Sequence, residues 1–381
     1  MPAWIANCGW GIFCTVSWTW CIGMWLPILL IHRFGWAGFW LIAIPNVLGC
    51  AGMGYVLRSK EASRKAVTQA GLSVTWFSTV TIAYHLFFLS MIATFMTWAF
   101  APDPGLVWLS LWIPIAVFSI AWFVSYLPTI LWLVVASIIF AATIVTFFII
   151  GPNNLDHVSD LAEQAPSGAI GAAPMFALGF LLCPHLDATL HRARQAVNGP
   201  HAFGIFGLGF AFTMVFVASY AMYAPYALPS LIIAFFVYQS IFTIAAHLRE
   251  LRLGEQFTSR GEVNRGGKRF YMLSPLVVPL IFWLALMIGG TALDELSLER
   301  GYFRFLVMYG LVFPAIMLIW LPNRTKTSLV WLVVVLCISL PIAEFGMFRP
   351  AYWLLVIPVF LIVGSAVILR RSNTPRVNHI N

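Results

Sequence analysis

Charge is scarce in this chain: 9% of its 381 residues are Asp, Glu, Lys or Arg, while 61% are hydrophobic. Globular domains carry roughly 25% charged residues, so an ordinary soluble fold with a hydrated surface is excluded. Cysteine offers no framework. Cys8, Cys14, Cys21, Cys50, Cys183 and Cys337 form no CxxC pair, which argues against a zinc site or a disulfide scaffold; lying in or beside apolar segments, they read as small packing residues. The N-terminus has no basic stretch before its first apolar run and no small-residue cleavage site. The first apolar segment is therefore expected to be retained rather than removed as a signal peptide.

What the chain does have is about twelve long apolar segments, near 8–31, 36–57, 73–100, 106–126, 129–150, 172–195, 202–223, 228–248, 273–293, 302–321, 328–348 and 352–370. A membrane helix needs ~20 mostly apolar residues, so the spans and short loops use up the chain and function must sit within the membrane. Only Tyr126-Leu127-Pro128 separates the fourth and fifth segments. We read it as a tight hairpin, because one long helix there would invert every later loop.

The loops alternate in charge. Those after spans two, six, eight, ten and twelve hold 17 of the 21 Lys/Arg, from Arg58, Lys60, Arg64 and Lys65 to Arg370, Arg371 and Arg376. The intervening loops carry Asp103, then Asp156, Asp160 and Glu163, then Asp294, Glu295 and Glu299. By the positive-inside rule both termini face the cytoplasm, and the protein is expected in the plasma (inner) membrane. The formal charge of +8 is spread over short loops, which suits anchoring at the lipid surface and not nucleic acid. The glycine-containing stretch Arg249 to Phe270 reads as such an anchor, part helical at the interface.

Polar side chains inside a bilayer are costly and turn toward a partner or a cavity. They include Ser17, Thr19, Asn46, His85, His185, Asp187, Gln239, Ser240, Thr243 and Glu344. Two spans combine them with helix-breaking residues. Span one, CGWGIFCTVSWTWCIGMWLPILLIH, has Gly9, Gly11, Gly23 and Pro27 around Ser17-Trp18-Thr19, and Trp18 and Trp20 would flank a break. In span six Pro184 removes an amide and clashes with the carbonyl four residues earlier, so a kink is expected between Gly179 and His185. The loop charges make these two spans antiparallel and five apart. Broken helices in such an inverted repeat of five plus five meet at the substrate site of many transporters.

At these residues the chain resembles the sodium:solute symporter superfamily. Leu178-Gly179-Phe180 followed by Cys183-Pro184-His185 and a basic end is similar to that superfamily's sixth core helix, and span one with Phe34 to Tyr55 is similar to its first two. The resemblance implies an all-α LeuT-type fold of the APC superfamily, with ten core helices (repeats over 1–150 and 172–321) and two accessory helices over 328–370. It implies alternating-access transport of a small solute and a third helix, carrying His85, that lines the site. It also calls for an adjacent Ser/Thr pair in span eight to hold sodium. Here Ser240 and Thr243 stand three apart, about 60° around a helix, so both can still face one site.

The residues expected to bind substrate are Ser17, Trp18, Thr19, His85, Gly179, His185 and Gln239, with Ser240, Thr243 and Asp187 for ion binding or coupling. Each has a plainer alternative: Ser/Thr capping of helix carbonyls, a buried histidine bonded to a neighbouring helix for His85, and a pair with His191 or an arginine for Asp187. Glu344 is expected to pair with Arg349. The overall expectation is a secondary active transporter with a central cavity between spans one, three, six and eight. It would need no cofactor beyond a coupling ion, Na+ or H+, its partners being the solute and membrane lipids. An integral-membrane enzyme acting on a lipid, or a transporter-like sensor, are the alternatives.

Overall fold

The first apolar segment does not form one straight helix. α1 (Ala3–Trp18) and α2 (Cys21–Phe34) meet at an angle of 59° across Thr19 and Trp20. The computed structural model describes residues 2–100, 104–224, 227–254, 265–289, 295–349 and 351–372; Asp103, Gly261, Asp294 and Arg376 lie outside them. Among the described residues every regular element is helical. Among the described residues eleven helices are long and apolar enough to cross a membrane, twelve when the bent pair is counted as one span. The chain is an all-α integral membrane protein.

α3 (Trp36–Val56) is span two, and α4 (Lys60–Phe100) contains span three. Span four is α5 (Leu109–Val124) and span five α6 (Thr129–Ile150). Span six is α7 (Ser167–Leu182), a 3-10 turn over Cys183–Leu186, and α8 (Ala188–Ala196). α9 (His201–Ser219) and α10 (Ser230–Leu253) form spans seven and eight. α11 (Arg265–Leu273) leads into α12 (Val277–Gly289) for span nine. Span ten joins α13 (Glu295–Val307) to α14 (Phe313–Ala315) through the wide π-type turns Met308–Val312 and Ile316–Trp320. α15 (Lys326–Phe348) and α16 (Val356–Ser372) are the last two spans.

The loops gather at two ends, as their charges require. Arg252 donates to the Ser125 carbonyl and Arg249 to Thr129 Oγ1, which brings the 125–128 turn to the end that carries Arg194 and Arg324, here named the basic face. At the other, acidic face Arg33 pairs with Glu299, and Glu163 N–H donates to the His32 carbonyl. The hairpin at Tyr126-Leu127-Pro128 thus exists. The segment around Lys60–Lys65, which the charge pattern marks as loop, is instead the start of α4, whose axis kinks at Gly71; its apolar side is pinned to α8 by Ser63.

Helix contacts repeat when each span is exchanged with the one five places on. Span one packs on seven and six on two; one on five and six on ten; four on eight and nine on three. Spans one and six, two and seven, three and eight, and four and nine pack on each other. That reciprocity is the five-plus-five inverted arrangement, with α15 and α16 against spans six and ten. Glycine permits close approaches between these spans: a Cβ on Gly49 would stand 2.0 Å from the Phe180 carbonyl oxygen, and one on Gly179 2.8 Å from that of Tyr309. Gly179 therefore seats span six on span ten.

Candidate functional site at the two helix breaks

The break in span one has neither glycine nor proline. It is built by side chains that take over backbone carbonyls. Thr19 Oγ1 donates to the Thr15 carbonyl (2.7 Å) and Thr15 Oγ1 to that of Gly11 (3.1 Å), a back-bonding that competes with helix continuation. The terminal carbonyls of α1, orphaned by the break, all find donors. Thr15 is served by Thr19, Val16 by the Gln239 side-chain amide, Ser17 by Trp20 Nε1 (2.8 Å) and Trp18 by the Trp20 amide (2.8 Å). On the other side of the break the Cys21 amide donates to His85 Nε2 (3.2 Å). His85 Nδ1 must then carry the proton, which it gives to the Thr81 carbonyl at 2.8 Å. His85 thus holds the N-terminus of α2, the plainer of its two expected roles.

The break in span six begins within the expected stretch from Gly179 to His185 and runs on to Asp187. α7 runs through Gly179 to Leu182; Pro184 sits in the 3-10 turn that follows, where its missing amide costs nothing, and the chain turns extended at Asp187. Asp187 is the N-cap of α8. Its Oδ1 accepts from Thr189 N (2.6 Å), Thr189 Oγ1 (2.7 Å) and Leu190 N (3.4 Å), which satisfies donors at a positive helix end. The expected pair with His191 does not form. His191 Nδ1 lies 2.8 Å from Ser63 Oγ and Nε2 3.0 Å from the His185 carbonyl, because the break swings His191 toward α4. Glu344 likewise bonds Arg304, in a two-pronged pair, and not Arg349.

The two breaks touch. Thr189 Oγ1 is 3.2 Å from Ser17 Oγ, and Trp18 Nε1 donates to Asn46 Oδ1 (2.8 Å) on α3. From span eight, Gln239 reaches Val16 and lies 3.4 Å from Thr243 Oγ1, while Ser240 Oγ is buried with no partner. Of the oxygens a sodium ion would share, the Val16 carbonyl and the Thr243 hydroxyl are thus engaged by the Gln239 amide.

Between the breaks the expected cavity is occupied by Trp20. Its ring lies 4.2 Å from that of Trp18, 5.2 Å from Phe77, 5.3 Å from Tyr309 and 5.9 Å from His247. Cavities open on either side of this aromatic layer. Toward the acidic face, about 140 Å³ is lined by Trp25, Leu29, His32, Arg33, Met91 and Glu299. Toward the basic face, about 610 Å³ is lined by Ala66, Gln69, His185, Leu186, Met317 and Arg324. Order along the helices fixes the stacking: α4 passes Gln69, Phe77, then Met91, and span ten passes Met317, Tyr309, then Glu299. Of the residues expected at the site, His185 lines a cavity, Ser17, Trp18, Thr19 and Gln239 form the breaks themselves, and His85 and Gly179 serve packing and capping.

His247 and Ser78 are absent from the expected set. His247 is fully buried, its Nδ1 is 3.1 Å from Ser78 Oγ on α4, and its Nε2 faces Asp187 Oδ2 at 3.9 Å. A signal was present: Gln239, Thr243 and His247 recur every four residues, a polar stripe on one helix face.

No family model matches the chain, and no curated protein matches it. Among solved structures it is similar to the Eremococcus coleocola manganese transporter, crystallised in complex with an aromatic bis-isothiourea substituted compound, at 13% identity and a TM-score of 0.48 over 96% of this chain and 93% of that one. It is also similar to an inward-facing conformation of Mhp1, at 13% identity and a TM-score of 0.43 over 95% of this chain and 91% of that one.

Proposed function

We propose that the chain is a secondary active transporter that moves a small organic solute by alternating access, a sodium:solute symporter-like protein of the plasma membrane with both termini in the cytoplasm. The observation that carries this reading is the pair of cavities on opposite sides of one aromatic layer, at the level where two antiparallel broken spans meet. Broken helices at mid-membrane are a recurring way to present polar groups to a solute and to let half-helices move separately. In this conformation the larger cavity reaches His185 from the basic face, while Arg33–Glu299, with Arg33 over the Phe303 ring at 4.6 Å, ties span one to span ten at the acidic face. A solute entering by the basic face meets His185 first. Displacement of Trp20 would then expose Ser17, Trp18, Thr19 and Gln239.

The test uses the full chain in liposomes. Small organic solutes are screened for a rise in melting temperature, since a ligand at 100 times its Kd stabilises by about 2.7 kcal/mol. Saturable uptake of a stabilising solute supports the reading; stabilising binding without flux contradicts it.

A further inference from the structure

Two buried atoms in the centre of the protein face each other with nothing bonded to either. Asp187 and His247 are both fully enclosed. Asp187 Oδ1 has its three donors, but Oδ2 has no hydrogen-bond partner; His247 Nδ1 has Ser78, but Nε2 has none. Oδ2 and Nε2 are 3.9 Å apart. That gap is too long for a hydrogen bond, which needs about 2.7–3.2 Å, and too short for a bridging water, which needs roughly 5 Å. A buried carboxylate oxygen left bare is costly, and when Ser78 Oγ accepts from Nδ1–H the neutral ring turns only the Nε2 lone pair toward it, which adds nothing to offset the cost. One proton completes the arrangement: a rotamer adjustment of about 1 Å then closes an N–H···O or O–H···N bond.

We infer that Asp187 and His247 together bind one exchangeable proton and form the coupling-ion site of the transport cycle, an assignment that rests on the transporter reading above. Proton binding forms an O–H bond at Asp187 Oδ2, shared toward His247 Nε2; the proton leaves a hydronium ion of bulk water as H2O, and the charge of the site rises by one.

The surroundings favour a proton over a metal or sodium ion. Among the described residues no three His, Cys, Asp or Glu side chains converge in a metal-holding group, and the α1 carbonyls that would complete an oxygen cage are taken by Gln239 and Trp20. The other titratable groups near the pair are committed or apolar in character. His85 on α4 uses both ring nitrogens, as does His191 on α8. Tyr309 on span ten is 2.9 Å from Thr81 Oγ1, and Glu250 on α10 is bound by Arg192 through both oxygens. The thiols of Cys14, Cys50 and Cys183 lie within electrostatic range on spans one, two and six. His185 and Leu186, the two residues before Asp187, are among those lining the basic-face cavity.

The site is also placed to act. Asp187 holds the first turn of α8, and α8 is fastened to α4 by His191–Ser63 and to α10 by Arg192–Glu250. Closing the Oδ2–Nε2 gap draws the α8 N-terminus against α10, so charge state and helix position are linked.

The experiment is pH-titrated infrared difference spectroscopy on the full chain in lipid nanodiscs, which reads the carboxylic-acid C=O band directly and needs no solute. The expected result is a titrating band that vanishes in Asp187→Asn, a variant that keeps the N-cap, and moves its midpoint by roughly tenfold in proton concentration in His247→Gln. A band that survives Asp187→Asn, or a midpoint unmoved in folded His247→Gln, overturns the assignment. Because this readout is independent of flux, absence of transport with the band intact would strike the transporter reading and leave the proton site standing.

Discussion

The indole nitrogen of Trp20 donates to the carbonyl of Ser17, 2.8 Å away, so the side chain that fills the space between the two breaks also closes the end of α1. Trp20→Ala removes plug and cap together. A loss of about 3–5 kcal/mol is expected for such a buried truncation, read as a lowered melting temperature of the purified protein. Trp20→Phe keeps most of the volume and is expected to lose far less; equal losses would mean that the indole N–H, not the ring, does the closing.

Gln239 gives a sharper test of the carbonyl closure. Gln239→Leu keeps size but removes the donor to Val16, in a place 1% exposed where no water can substitute. Hydrogen bonds between membrane helices average only about 0.6 kcal/mol, whereas a buried group left unsatisfied costs about 1–3 kcal/mol. The first figure is the nearer one, because Val16 retains the longer Thr19 amide bond of 3.3 Å. A melting temperature unchanged in Gln239→Leu would show that the carbonyl finds another donor.

The close approaches of span six predict a graded glycine series. Gly49→Ala places a methyl 2.0 Å from the Phe180 oxygen and Gly179→Ala one 2.8 Å from the Tyr309 oxygen, while Gly52→Ala meets nothing within 4 Å. Overpacking costs typically 1–3 kcal/mol. Expression and thermal stability should fall in the order Gly52, Gly179, Gly49, with the first near wild type.

Uptake of an identified solute should fall in His185→Ala and Ser17→Ala with the fold intact. His185 touches the basic-face cavity, and Ser17 bonds the break in span six through Thr189. Chromatography of the variants separates lost transport from lost protein, and undiminished uptake in both would remove the breaks from the solute path.

Much of this was legible in the sequence because bilayer physics leaves strong marks. Apolar runs gave the spans, loop charges gave their alternation, and Pro184 marked span six as broken. The rest depended on contacts that no local pattern carries. The break in span one falls at Thr19–Trp20, where Trp18 and Trp20 are expected to flank it, and Pro27 lies within α2; what no local pattern carries is that a tryptophan and a distant glutamine take the carbonyls. Lys60 to Gln69 reads as loop because it is charged, and becomes helix because Ser63 and Ala70 find buried partners. His247 sits beside Arg249 and Glu250 at the end of span eight and is not among the residues the sequence singles out. Only the break in span six, which turns Asp187 inward, brings the two together.

The central claim is that one aromatic layer separates two cavities that open in turn, and reciprocal accessibility tests it most directly. Gln69→Cys in the basic-face cavity and Leu29→Cys in the acidic-face cavity are labelled with an impermeant maleimide from their own sides, with and without Glu299→Gln, which weakens the tie to Arg33. The account predicts that Glu299→Gln speeds labelling at Leu29→Cys and slows it at Gln69→Cys. Labelling that rises at both positions, or at Leu29→Cys alone, would contradict it.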